Sequence, residues 1–231
     1  MTITLYTLRG ADAACTFSPH CWKAVMALKH KGLDFEERPL RFTDIPRTEG
    51  GFSKTVPLMR DDGHLVSDSF AIAEYLEETY PEQPSLFGGE GGRALCRFVE
   101  AWSQNVIHAA ISRMAVHEIW ELLDPEDQPY FRESREARLG KPLEVMAAGS
   151  AEEVAAFEAK LEPLRALLKR QPFLGGEEPL FADYIVFGAL QWLRIVSTRW
   201  PLGPDDGVTD WFERCLDLFG EAGRKVPARA R

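Results

Sequence analysis

"TVPLMRDDGHLVSDSFAIAEYLEETYP", residues 55–81, is the stretch whose reading decides the fold. Two short apolar runs, "TVPLMRDD" and "HLVSD", flank Asp62-Gly63, a dipeptide suited to a tight hairpin turn. "SFAIAEYLEETY" then takes up a helical period, with Asp68 placed to cap its start and Pro81 just past its end. Upstream, "TITLYT" (residues 2–7) alternates as a strand does, and "PHCWKAVMALKHK" (19–31) reads as a helix. Pro19 suits a first helical position, where its missing N–H loses nothing, and Gly32 stops the helix. "DFEERPL" is a second strand.

The order β-α-β, a connecting segment, then β-β-α describes an α/β domain over residues 1–81, with a composition like the thioredoxin-like folds. Residues 82–92, "EQPSLFGGEGG", are rich in Gly and Pro and read as a linker. Residues 93–231 read as an all-helical domain. "RALCRFVEAWSQNVIHAAISRMAVHEIWELL" forms one long periodic stretch. "EDQPYFRESREARLG", "AEEVAAFEAKLEPLRALLKR", "ADYIVFGALQWLRIVS" and "VTDWFERCLDLFGE" follow as further helices. The fold expected is therefore α/β plus all-α, with no internal repeat.

The formal net charge of −9 argues against a general nucleic-acid or anionic-membrane binder, both of which reward clustered Lys and Arg. The start "MTITLYTL" has no basic lead into a long apolar run, so no secretory leader is expected, and no segment is apolar for long enough to span a membrane. The cysteines, Cys15, Cys21, Cys96 and Cys215, match no zinc or redox spacing. Reduced thiols in a cytoplasm are the expectation, with no metal site.

Three local features carry chemistry. A proline in the apolar run at Val56-Pro57 belongs at an edge or bend: either a trans edge-strand proline, or a cis bond that turns the N–H and C=O of Val56 outward for an extended peptide. Asp68 and Ser69 open a helix, where free N–H groups and a hydroxyl suit a carboxylate and the acid suits an amine; the bland alternative is that both simply cap. Ser18 precedes Pro19 at the start of the first helix, where it either caps or donates its O–H to a thiolate. Cys21, inside that first turn, is either a reactive thiol or a small packing residue, and His20 is expected to cap or face solvent. Taken together, the three features describe a site for glutathione, whose γ-glutamyl head, cysteinyl backbone and thiol would be addressed in turn.

At these residues the chain resembles a glutathione transferase, and the likeness runs over essentially its whole length: the "TVPL" bend, "VSDSFAIAEYLEETYP", the linker and "FADYIVFGALQW". More narrowly, "ITLYTLRGADAACTFSPHCWKAVMALKHKG", "RFTDIPRTEGGFSKTVP", "SREARLGKPLEVMAAG", "GGEEPLFADY" and "DWFERCLDLFGEAGRK" resemble the bacterial serine-type branch containing the lignin β-etherases. The resemblance implies Ser18 as thiol-activating hydroxyl with Thr16 as second candidate, Val56 before a cis Pro57 as partner of the cysteinyl backbone, and Asp68 and Ser69 as γ-glutamyl binders. It also implies a homodimer. Two departures stand out. Thr55 occupies the position where many relatives place a basic or amide residue near the glycyl carboxylate, with Lys54 one step earlier; and Leu180 replaces the Ser or Thr expected three residues before Asp183, which removes the reciprocal side-chain cap.

A second substrate is expected between the domains. Trp102, His108, Met114 and Trp120 of the long helix are the residues proposed for its pocket, although their spacing also fits ordinary core. The expected function is attack of the glutathione thiolate on an apolar, aromatic electrophile, with β-aryl ether cleavage and detoxification as the two settings. The rivals are a thiol-disulfide or deglutathionylating enzyme using Cys15 or Cys21, and a glutathione- or aromatic-binding protein without turnover.

Overall fold

The computed structural model describes residues 3–230, so Thr2 of the first expected strand lies outside the described residues. Four strands, β1 (Ile3–Leu8), β2 (Phe35–Leu40), β3 (Leu58–Asp61) and β4 (His64–Ser67), form one sheet in the order β2-β1-β3-β4. β1 runs parallel to β2 and antiparallel to β3, and β3 is antiparallel to β4. The parallel pair is joined through α1 (Pro19–His30), and the hairpin leads into α2 (Ser69–Thr79). This is the thioredoxin-like layer that residues 55–81 foretold.

Among the described residues ten α-helices, α1 and α2 included, follow the expected plan with informative differences. α3 (Glu90–Trp102) starts inside the expected linker, so residues 90–92 are its first turn. The long periodic stretch is interrupted: a π-helical turn at Ser103–His108 separates α3 from α4 (Ala109–Leu122). α5 (Gln128–Leu139) closes on Gly140, in the left-handed conformation at φ 70°. A short α6 (Leu143–Ala148) was not legible as a helix. The expected helix over 151–170 divides into α7 (Ser150–Lys160) and α8 (Glu162–Leu168), with a proline in the first turn of α8. α9 (Phe181–Val196) is buried nearly throughout, and α10 (Gly207–Glu221) packs beside it. A 3-10 segment spans Phe42–Gly51. Among the described residues no helix is long and apolar enough to cross a membrane.

Two contacts position the site. α1 lies against α9, where a Cβ on Gly188 would stand 2.4 Å from the carbonyl of Pro19; only glycine lets the start of α1 approach so closely. Trp22 meets Phe187 edge-on in the same seam. On the other side, Asp127 at the start of α5 accepts the N–H groups of Phe42 (2.9 Å) and Thr43 (3.0 Å). That fully buried carboxylate ties the 3-10 segment of the sheet domain to the helical domain.

Candidate active site

The strand register gathers the sequence-expected residues at one edge of the sheet. Tyr6 pairs with Leu58 and Leu58 with Ser67, so the end of β1, the start of β3 and the end of β4 lie together. The N–H of Phe17 donates to the carbonyl of Leu8 (3.2 Å), which brings Ser18 and the start of α1 to that edge. Val56-Pro57 and Asp68-Ser69 follow directly from the same strand ends. The Val56-Pro57 peptide is cis.

A cavity of about 420 Å³ opens between this edge and the helical domain. Ser18, His20, Lys54, Thr55 and Val56 line it from the sheet side; Gln104, His108, Ser112, Val116 and Ile119 line it from the π turn and α4. Tyr130, Phe131, Arg135 and Arg138 of α5 and Trp192 of α9 complete the wall. Asp68 and Ser69 do not line it and stand on the neighbouring sheet edge.

Ser18 is buried and caps α1: its Oγ accepts the N–H of Cys21 at a long 3.4 Å. The cap uses an acceptor lone pair, and the hydroxyl also stands within hydrogen-bonding reach of the Cys21 thiol. Asp68 caps α2 through one oxygen, Oδ1, which accepts from Phe70 (2.8 Å) and Ala71 (3.0 Å). It does so at φ 79°, a backbone conformation that non-glycine residues rarely adopt. Beside it, the Oγ of Ser69 is buried without a hydrogen-bond partner. Lys23, fully buried and ion-paired to Glu100 at 2.6 Å, lies close enough to Asp68 to feel its charge.

The remaining expectations divide. Thr16 does not line the cavity: its carbonyl accepts from the Trp22 indole (3.1 Å), and its hydroxyl acts on Glu37. Cys21 is not a low-pKa thiol. Burial pushes it up to about 12, outweighing the hydrogen bond to Ser18 that pulls the other way. Burial also raises Cys15, and the charge of Asp12 adds to that rise. His20 is neither a cap nor turned to solvent; it stacks on His108 with ring centroids 5.2 Å apart. Of the four residues proposed for the second pocket, only His108 lines the cavity. Trp102 packs against the core, Met114 is within it, and Trp120 lies under the Arg132 guanidinium. The face that meets the cavity runs Gln104, His108, Ser112, Val116, at four-residue spacing across the π turn and α4. Three of those four are polar, which is why an apolar stripe pointed elsewhere.

The Nδ1 of His108 stands 3.1 Å from the Ser103 carbonyl and 3.2 Å from the Ser103 hydroxyl; a proton on Nδ1 serves the carbonyl and leaves a lone pair on Nε2. That Nε2 is buried and unpartnered. Burial holds both imidazoles neutral, with His20 lowered to about 3 and His108 well below the usual range; the Lys23 charge adds to both effects. Among the described residues no group of three or more His, Cys, Asp or Glu is placed to hold a metal.

Comparison with known proteins agrees with this geometry. Residues 17–79 match the family model described as glutathione S-transferase, N-terminal domain, and residues 94–201 match glutathione S-transferase, C-terminal domain. The chain is 28% identical over 216 residues to the glutathione S-transferase-like protein ustS of Aspergillus flavus, covering 80% of this chain and 76% of that protein. A shorter match, 41% identical over 66 residues, joins 26% of this chain to 30% of glutathione S-transferase Z1 of Arabidopsis thaliana. Among solved structures, glutathione transferase GSTFuA3 of Phanerochaete chrysosporium superposes with a TM-score of 0.77 at 28% identity, covering 100% of this chain and 99% of that one.

Proposed function

Because the chain belongs to the glutathione S-transferase family, we propose that it is a serine-type transferase in which the hydroxyl of Ser18 holds bound glutathione as its thiolate. The observation that carries this reading is the place of Ser18: buried at the cavity wall and at a helix start, with a hydroxyl that already lies within reach of a sulfur, that of Cys21. The free N–H groups and dipole of α1 favour negative charge at that point, and the O–H donates to the sulfur as charge forms. Val56 offers its backbone to the cysteinyl unit, and Lys54 and Thr55 lie toward the glycyl end. Ser69, buried and unpartnered, and the uncommitted Oδ2 of Asp68 meet the γ-glutamyl carboxylate and ammonium. Residues 1–81 thus carry glutathione and residues 93–231 the electrophile, with 82–92 between them.

The aromatic wall of Phe17, Phe42, Tyr130, Phe131 and Trp192 favours an aromatic electrophile. In the reaction the thiolate attacks carbon, forms a C–S bond and displaces the leaving group with its electron pair: an aryloxide in a β-aryl ether, a halide in an activated aryl halide. His108 lends its Nε2 lone pair to a donor on that substrate. The four cysteines are free, the state a reducing cytoplasm maintains. We take the active form to be a homodimer, since Phe98 (70% exposed), Leu95 (43%) and Phe52 (53%) are the large apolar side chains a second copy would cover. Sedimentation of the wild type against Phe98→Glu tests that assignment.

The decisive experiment is Ser18→Ala. The thiol pKa of bound glutathione, read by ultraviolet thiolate absorbance, should rise by about one unit or more, because a charge-assisted bond contributes about 1.5–3 kcal/mol. Turnover should fall much more than glutathione affinity. An unchanged titration rules out the serine role.

A further inference from the structure

Of the 231 residues, 36 are Asp or Glu, yet none of them lines the cavity. Three cations do: Lys54 on the sheet side, and Arg135 and Arg138 of α5 on the helical side. In a chain of net charge −9 this is a local inversion. α5 itself supplies the contrast. Arg132, one turn earlier, is bound to Glu136 (2.9 Å) and Glu144 (2.7 Å). Arg135 and Arg138 form no ion pair among the described residues, although Glu133 and Glu136 are on the same helix.

Arg135 is held for a purpose other than charge neutralisation. Its guanidinium lies over the rings of Phe131 (4.6 Å) and Phe42 (5.7 Å), and the Asp127 clamp fixes Phe42 there. One N–H donates to the Ser134 hydroxyl at 2.8 Å; among the described residues no acceptor meets the remaining donors. Half-buried and facing another cation, Arg135 is driven below its usual range by burial first and by Arg138 second. A planar fork of free donors, fixed on aromatic rings inside an aromatic cavity, matches a carboxylate carried on a flat apolar body. Glutathione as read above lies on the opposite wall, along Ser18, Val56 and the sheet edge, so these two arginines are available to the other substrate.

We propose that Arg135 and Arg138 select electrophiles that bear a carboxylate on an aromatic body, so that the second substrate of this enzyme is an aromatic acid. The proposal rests on the transferase reading, because it assumes that glutathione occupies the sheet-side wall. Ordinary acceptor substrates lacking a negative charge would leave the two guanidinium groups facing each other without an anion between them.

The test separates binding of the acid from catalysis. Protein saturated with S-methylglutathione is titrated by calorimetry with 3-nitrobenzoate and with 3-nitrobenzamide, which differ in charge and little in shape. The acid should bind about tenfold more tightly at low salt, and added salt should shrink the difference. In Arg135→Gln the ratio should fall below about threefold, and the exposed Arg138→Gln should lower it less; a melting curve establishes that each variant is folded. Arg138→Gln keeps the test valid if Arg135→Gln does not fold, since it leaves the ring stack intact. Equal binding of acid and amide by the wild type overturns the proposal. So does a drop in S-methylglutathione affinity in Arg135→Gln with an unchanged acid-to-amide ratio, which would assign the arginine to glutathione. If S-methylglutathione itself fails to bind, the transferase reading has failed; the same two titrations into ligand-free protein then still decide whether Arg135 reads the carboxylate.

Discussion

Three helix starts in this molecule are built from buried polar side chains, and they end in two opposite states. At the start of α9, Asp183 is saturated: Oδ1 accepts from Leu174 (2.7 Å) and the Trp211 indole (2.9 Å), and Oδ2 accepts from Gly175 (2.9 Å) and Leu180 (3.0 Å). At the starts of α1 and α2, Ser18 accepts one long bond and Ser69 makes none. Burying polar atoms is costly unless they are hydrogen-bonded. The saturated start therefore serves the fold, tying α9 to α10 and to the loop before it. The unsaturated starts are the ones that the proposed glutathione site would complete.

The largest expected effect lies on the saturated side. Asp183→Ala leaves four N–H donors without their acceptor, so urea unfolding should show a loss on the order of 4 kcal/mol, with Asp183→Asn in between. Leu180 cannot supply the reciprocal cap, so nothing else at that helix start compensates. A loss below about 1 kcal/mol would break the comparison, since saturation would then contribute nothing.

Acid should test the unsaturated side next. His20 and His108 are held neutral in the fold, against each other and against Lys23. A histidine whose folded pKa is depressed contributes stability that is complete above its unfolded value, near 6.5, and is lost as pH falls toward the folded one. With His20 lowered to about 3, the loss between pH 6.5 and 5 should reach about 2 kcal/mol, above the range where most carboxylates titrate. Stability curves of wild type and His20→Leu across that window check it: the wild type should slope and the variant should be flatter. Identical slopes would mean that the stacked pair is hydrated and free to charge.

A smaller effect belongs to Ser69. Replacing it with Ala removes a buried hydroxyl that bonds to nothing, so unfolding stability should change by less than about 0.5 kcal/mol or rise. Glutathione affinity should fall about tenfold with turnover at saturation nearly intact, because a remote contact binds ground and transition states alike. Calorimetry giving wild-type affinity would return Ser69 to a purely structural place at its helix start.

Much of this arrangement was legible before any coordinates. Pro19, Gly32, Asp62-Gly63 and Asp68 punctuate the sheet domain, and each acts through its own backbone, which local sequence reports well. The four donors on Asp183 are not legible locally, because Trp211 and Leu174 reach it only through tertiary packing. What was hidden depends on context. Tertiary packing sets which face of the long helical stretch meets the cavity, and that face carries Gln104, His108 and Ser112 in place of Trp102, Met114 and Trp120. Arg135 reads as an ordinary solvated cation until Phe42, some ninety positions away, is folded beneath it. α6 is six residues long, too short to show a period.

The smallest expected effect is the one that separates Ser18 from the thiols around it. Cys21 shares the first turn of α1 with Ser18, and position alone would lower its pKa. Burial prevails: with the thiol pushed up to about 12, the thiolate at neutral pH is on the order of one molecule in 10⁵. Cys15 is raised as well, and Asp12 opposes its ionisation. Neither thiol is activated as a nucleophile, and the buried Cys21 is not alkylated readily while the protein is folded. The double variant Cys15→Ala, Cys21→Ala should therefore keep conjugating activity within about twofold, at a stability cost of about 1 kcal/mol for the small space left at Cys21. Iodoacetamide at pH 7.5 should leave the wild type active, with Cys21 unlabelled by mass spectrometry until urea is added. Because the folded pKa lies above the unfolded value near 9, the protection is complete below pH 9 and fades as pH climbs toward 12, so labelling should accelerate in that window and not before. A double variant that melts normally yet has lost its activity would transfer the chemistry from the serine to a thiol. The unsaturated start of α1 would then be an ordinary cap beside a redox cysteine.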